Sequence, residues 1–148
     1  MKRRKLLKGT VIAGVATTVS TPNFPTPAIA KKRIEIIMVS TWPRDFPGIG
    51  TGAQRFAKKL SEMTDGRIKV KYYAGGEIVK PFDSFDEVVS GKAQMYHAAD
   101  YYWKGKHPGW AYFTAVPFGF VYSEINAWIN FRGGQELWDE LAGSFGLK

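Results

Sequence analysis

The sequence predicts an α/β fold, a β-α-β-α-β parallel sheet with flanking helices. Three runs carry the prediction: a nearly unbroken apolar, β-branched run from Arg33 to Ser40, a strictly alternating one from Arg67 to Tyr73, and a short apolar one from Gln94 to Ala99. A helical pattern separates each pair, and strands alternating with helices form right-handed crossovers and a sheet covered on its faces. At 148 residues, 45% hydrophobic and 15% aromatic, the chain is long enough for one domain with a real core.

Residues 1–30 have the order of a signal peptide. Lys2, Arg3, Arg4, Lys5 and Lys8 form a basic start, Thr10 to Ser20 a weakly apolar run, and Ala28-Ile29-Ala30 a small-x-small cleavage pattern, with cleavage expected after Ala30. The apolar run is too short to span a bilayer. Arg3-Arg4-Lys5-Leu6-Leu7-Lys8 resembles the twin-arginine signature of export in the folded state, although Lys2 is an imperfect residue before the pair. This leader holds five of the 21 basic residues and no acid, so the body keeps 16 basic against 13 acidic side chains. A body with such interspersed signs gives no footprint for nucleic acid. The chain has no cysteine, which removes disulfides, thiol nucleophiles and thiolate metal sites.

The first strand stops at Thr41-Trp42-Pro43, because Pro43 and Pro47 keep the following segment irregular. From Gly50 to Thr64, Ala53, Phe56, Ala57, Leu60 and Met63 lie on one helical face, and Gly66 is the expected stop. In the second strand Ile68, Val70 and Tyr72 share a face. Ala74-Gly75-Gly76-Glu77 is a turn, with too few glycines for a phosphate loop. A helix from Pro81 to Ser90 follows, with Pro81 in its first turn, Asp83, Asp86 and Glu87 complementing its dipole, and Phe82, Phe85, Val88 and Val89 forming its face. Farther on, Ser123 is the expected cap of a helix from Glu124 to Phe131. Gly133-Gly134 then turns the chain into a last helix from Gln135.

The third strand runs into Ala98-Ala99-Asp100-Tyr101-Tyr102-Trp103-Lys104-Gly105-Lys106-His107-Pro108-Gly109-Trp110. Most aromatics are core. These, however, leave a parallel strand at its carboxyl end, on the same rim as Trp42, and that rim is where open α/β sheets bind ligands. Catalytic chemistry has little to draw on. His97 and His107 lack carboxylates at helical ligand spacing, so a metal site is not expected. Asp100 and His97 could be drawn with Ser84 or Ser90 as a triad, but no nucleophile elbow surrounds either serine. The reading is therefore a binding protein with no catalytic residue. The alternatives are a small periplasmic enzyme with an aromatic-lined cleft, and a basic membrane-surface protein that keeps its leader.

Several short motifs sharpen this: Thr41-Trp42, Gly66-Arg67-Ile68, Tyr73-Ala74-Gly75-Gly76-Glu77, Gly91-Lys92-Ala93-Gln94-Met95, Tyr101-Tyr102-Trp103-Lys104-Gly105-Lys106 and Val116-Pro117-Phe118-Gly119. With the leader, they resemble the DctP-type solute receptors of TRAP (tripartite ATP-independent periplasmic) transporters, nearest the branch that binds 2-oxo or 2-hydroxy monocarboxylates such as pyruvate and lactate. The resemblance runs from Arg33 to Lys148. It implies a periplasmic-binding-protein-like lobe over residues 31–148, truncated before the second lobe that such receptors close over a ligand. It also implies a periplasmic location and delivery of a small carboxylate to TRAP membrane permease subunits, and it leaves a homodimer possible in full-length relatives. By matching motif, Trp42, Tyr101 and Tyr102 would face the ligand, with Phe118 a weaker candidate. The family's carboxylate-binding arginine, and the residues that hold a metal ion in some members, belong to the second lobe. No cofactor is thus expected in this segment, and weak binding or none from it alone.

Overall fold

The computed structural model describes residues 33–114 and 116–148, and the leader with its expected cleavage site lies outside them. Three strands, β1 (Ile34–Ser40), β2 (Ile68–Tyr73) and β3 (Met95–His97), form a parallel sheet in the order β2-β1-β3. Helix α1 (Ile49–Met63) makes the first crossover, and a 3-10 turn (Pro81–Asp83) leading into α2 (Ser84–Val89) makes the second. Two more 3-10 turns (Asp100–Trp103 and Pro108–Ala111) precede α3 (Tyr122–Phe131) and α4 (Gly134–Ser144). The β-α-β-α-β order is the expected one.

Each face of the sheet has its own core. On one, Met38 and Val70 pack against Ala53 and Ala57 of α1, with Ile36, Leu60, Tyr72 and Met95 around them. The other is aromatic: Phe85, Trp103, Trp110 and Phe113, backed by Tyr96, Trp128, Trp138 and Phe145. Phe85 meets Trp110 and Phe145 edge-on, and Phe113 stacks between Trp128 and Trp138. Such pairings add about 0.5–1.5 kcal/mol each beyond the area they bury.

Several boundaries differ from the sequence reading. β1 is buried only over Met38–Ser40, since β3 has three residues and flanks only that end of it. Phe56 and Met63 are exposed; at about 100° per residue they lie on the flank of α1, not on the Ala53–Ala57–Leu60 stripe. α1 ends in a Schellman arrangement, Gly66 N–H to Ser61 O and Asp65 N–H to Glu62 O, so the left-handed C′ residue is Asp65 (φ 50°), with Gly66 (φ 71°) next. Ser123 is not a cap. α3 begins one residue before it, and Glu124 Oε2 reaches back to accept the Val121 N–H at 2.9 Å. At the α3–α4 corner, Gly133 does adopt a left-handed φ of 85°, and a Cβ on Gly134 would lie 2.8 Å from Ile129 Cα.

Candidate functional site at the carboxyl ends of β1 and β3

The register aligns Ser40 of β1 with His97 of β3. The Thr41 N–H donates to His97 O (3.1 Å), so the two strands leave the sheet at the same level. This brings Trp42 beside the 3-10 turn that carries Tyr101 and Tyr102. The Trp42 ring lies 4.7 Å from that of His97 and 6.3 Å from that of Tyr102, and Tyr102 lies 4.7 Å from Tyr101. Trp42 and Tyr102 are half-buried, while Tyr101 is exposed. Three of the four residues singled out by sequence thus form one aromatic wall. Phe82, read there only as part of a helix face, joins it edge-on to Tyr102 at 5.2 Å. A residue that looks core-facing by periodicity gives no signal that it caps a wall.

The wall is tied down from beneath and from the side. Ser40 Oγ, fully buried, accepts the Trp42 N–H at 3.1 Å and lies 3.2 Å from His97 Nδ1. Burial lowers the His97 pKa, which keeps the imidazole neutral and able to share that hydrogen bond. From the β2 side, the Gly75 N–H donates to Trp42 O at 2.8 Å, and a Cβ at Gly75 would meet Thr41 O at 2.8 Å. The turn needs a glycine there for close approach. Arg44 clamps Glu77 with two bonds (Nε to Oε1 2.7 Å, Nη2 to Oε2 2.6 Å), and Glu77 Oε2 also accepts the Ala74 N–H. The paired guanidinium, with the Ala74 N–H, holds the Glu77 carboxyl below its usual range. Spacing alone does not predict this clamp, because its partners are 33 residues apart.

The chemistry of the wall is donor-rich and apolar. Hydrogen bonding with Tyr101, then burial, pushes the Tyr102 phenol up, so it remains a donor at neutral pH. The drawn triad does not assemble. Ser84 and Ser90 each donate to a carbonyl three residues back, and Asp100 accepts from Tyr96 OH at 3.0 Å. Among the described residues no group of three or more His, Asp or Glu side chains is placed to hold a metal ion, and no helix is long and apolar enough to cross a membrane.

Phe118 lies apart from this wall. It is fully exposed, has a left-handed φ of 60°, and sits in the turn closed by Gly119 N–H to Val116 O. A bulky residue in that region is a genuine outlier and stores about 1–3 kcal/mol of strain. With Tyr112, Phe113, Phe120, Trp128 and Leu137, Phe118 lines an apolar groove of about 820 Å³ on one side of α4. A second groove of about 710 Å³ lies on the opposite side, between α4 and β3.

Comparison with known proteins places these features in a family. Residues 38–148 match the family described as bacterial extracellular solute-binding protein, family 7 (DctP). A monocarboxylate 2-oxoacid-binding periplasmic protein of Nostoc is 31% identical over 150 residues, which is 99% of this chain and 41% of the relative. A TRAP periplasmic solute-binding protein of Pseudoalteromonas atlantica T6c, solved with sodium and pyruvate, is 37% identical over 78% of this chain and 35% of its own, with a TM-score of 0.75. One from Colwellia psychrerythraea, solved with calcium and pyruvate, is 36% identical with the same coverage and TM-score. The chain therefore spans about two fifths or less of the length of the relatives it matches, and the ions in those relatives have no ligand cluster among its described residues. With the open parallel sheet, its flanking helices and the matched residues in agreement, the chain belongs to the DctP family of bacterial extracellular solute-binding proteins.

Proposed function

We propose that this chain serves as the ligand-capturing part of a TRAP transporter and takes up a small 2-oxo or 2-hydroxy monocarboxylate, pyruvate before lactate. Two relatives more than a third identical to it were solved with pyruvate, and this observation carries the reading. In the proposal Tyr101 and Tyr102 offer phenolic donors to the carboxylate or keto oxygen, and Trp42 shapes the apolar slot for the methyl group. Phe118 is a weaker contact, proposed from its matching motif alone, since it lines a groove apart from the other three. The wall offers no cation of its own, so a charge-assisted bond worth about 1.5–3 kcal/mol must come from polypeptide outside the matched stretch. Residues 1–30 act as a twin-arginine leader cleaved after Ala30, residues 31–148 act in the periplasm as a first lobe, and TRAP permease subunits receive the ligand. No enzymatic step is assigned.

Calorimetry with pyruvate on residues 31–148 tests the ligand assignment. The expected result is binding in the millimolar range or weaker, with acetate weaker still. Tight binding would contradict the division of the site, and equal response to acetate would contradict the 2-oxo preference. Export of the R3K/R4K double variant tests the leader: unimpaired export would exclude the twin-arginine route.

A further inference from the structure

Ser40 Oγ bridges the ends of β1 and β3 beneath the wall with a single proton to give. The side chain is 1% exposed, and among the described residues Oγ has two partners, the Trp42 N–H (3.1 Å) and His97 Nδ1 (3.2 Å). The amide can only donate, so it takes one lone pair of Oγ. If Nδ1 also donated, both lone pairs would be used and the hydroxyl proton would be buried without an acceptor, which is costly. The set closes only when Ser40 O–H donates to an unprotonated Nδ1, and the proton of the neutral ring then sits on Nε2. None of the surrounding titratable groups is bonded to the ring, and burial is the only cause that lowers its pKa. Asp100, Asp139 and Lys148 share a groove with His97, and Tyr102, with Tyr101 beside it, meets Trp42. Asp100 is held by Tyr96 and Trp138, Asp139 accepts from Gln135, and on the β2 side Arg44 and Glu77 pair with each other.

We propose that Ser40 and His97 are positioning residues for Trp42, and that a proton on His97 Nδ1 loosens Trp42 from the wall. At neutral pH the unprotonated Nδ1 takes the hydroxyl proton, which leaves a lone pair of Oγ for the Trp42 N–H and fixes where the indole starts. On acidification Nδ1 becomes a donor. Oγ can then accept from both N–H groups only with its own proton buried and unpaired, and turning to pair that proton gives up Trp42. The closed arrangement favours the neutral ring, so by linkage acid favours the open one. The wall is thus set near neutrality and slackens as pH falls through the folded pKa of His97. Its bearing on capture rests on the reading of Trp42 as a ligand contact, while the proton device stands without it.

Nitrogen NMR and amide hydrogen exchange on the full chain, without pyruvate, test the proposal. At pH 7 the His97 ring is expected as the Nε2–H tautomer. Between pH 7 and 5, protection of the Trp42 amide, corrected for intrinsic exchange, should fall about tenfold with the midpoint of His97 protonation. The Gln94 N–H, which donates to Ile37 O at the other end of β3 (3.1 Å), should keep its protection. His97→Asn puts an amide oxygen where Nδ1 stands and should hold Trp42 at both pH values, a rescue that a ring needed only for packing would not allow. An Nδ1–H tautomer, Trp42 protection that does not follow the ring, or an equal loss at Gln94 would each overturn the proposal. So would an unchanged pH dependence in His97→Asn, which would assign the effect to Asp100, Asp139 or Lys148. If that variant does not fold, the parent titration decides alone. Because pyruvate is absent throughout, failure here is separate from failure of the carboxylate reading, which calorimetry measures.

Discussion

Ser40 Oγ lies 3.2 Å from His97 Nδ1 and accepts the Trp42 N–H at 3.1 Å, so one buried hydroxyl joins the ends of β1 and β3 directly beneath the aromatic wall. Replacing Ser40 with Ala leaves the Trp42 N–H and the imidazole without this partner. The expected cost is about 1–3 kcal/mol in urea unfolding. The Trp42 indole resonance should also move, as it would not if the hydroxyl served packing alone.

His97 and Asp100 give opposite pH dependences. Burial holds the His97 pKa below 6.5, so on acidification the unfolded chain takes that proton first. The contribution is full above 6.5 and is lost as pH falls through the lower folded value. Burial raises the Asp100 pKa above 3.8, so the folded chain takes that proton first, and the contribution is lost as pH rises through the folded value. Urea midpoints between pH 7 and 5 should fall less steeply for His97→Gln than for the parent chain. An unchanged slope would show that other groups set it.

Gly75→Ala drives a Cβ to within 2.8 Å of Thr41 O, which is main chain and has no room to yield. A loss of about 1–3 kcal/mol is expected, the range for overpacking a tight site. Thermal unfolding of Gly75→Ala beside Gly76→Ser separates close approach from turn strain, since only Gly76 has a left-handed φ, 86°, and it has open space around it.

Phe118→Gly should raise stability by about 1 kcal/mol, because glycine adopts φ 60° without strain and an exposed ring is removed. A loss of stability on denaturant unfolding would show that the ring packs in this chain after all.

The sheet was legible in the sequence because its strands differ in kind: an apolar β-branched run for the central β1 and an alternating one for the edge strand β2. Trp42, Tyr101 and Tyr102 were legible as a group for the same reason, since parallel strands end on one rim. What lay beyond reach depends on partners distant in sequence. The clamp of Arg44 on Glu77 joins residues 33 apart, and Phe82 reads as a helix face until folding brings it to the wall. Phe118 is the reverse case: its Pro-Phe-Gly motif stands out locally, but folding sets it on a different groove from the other three. The Ser123 cap failed because Glu124 satisfies the helix start from within its first turn.

The central claim is that Trp42, Tyr101 and Tyr102 form the part of a 2-oxo acid site that this chain contributes. Titrating pyruvate into isotope-labelled residues 31–148, while following the Trp42 indole and the tyrosine rings, tests it most directly. The account predicts saturable shifts at those three residues, abolished by Trp42→Ala and much smaller with acetate. Shifts confined to the grooves beside α4, or shifts at the wall of equal size with acetate, would contradict it.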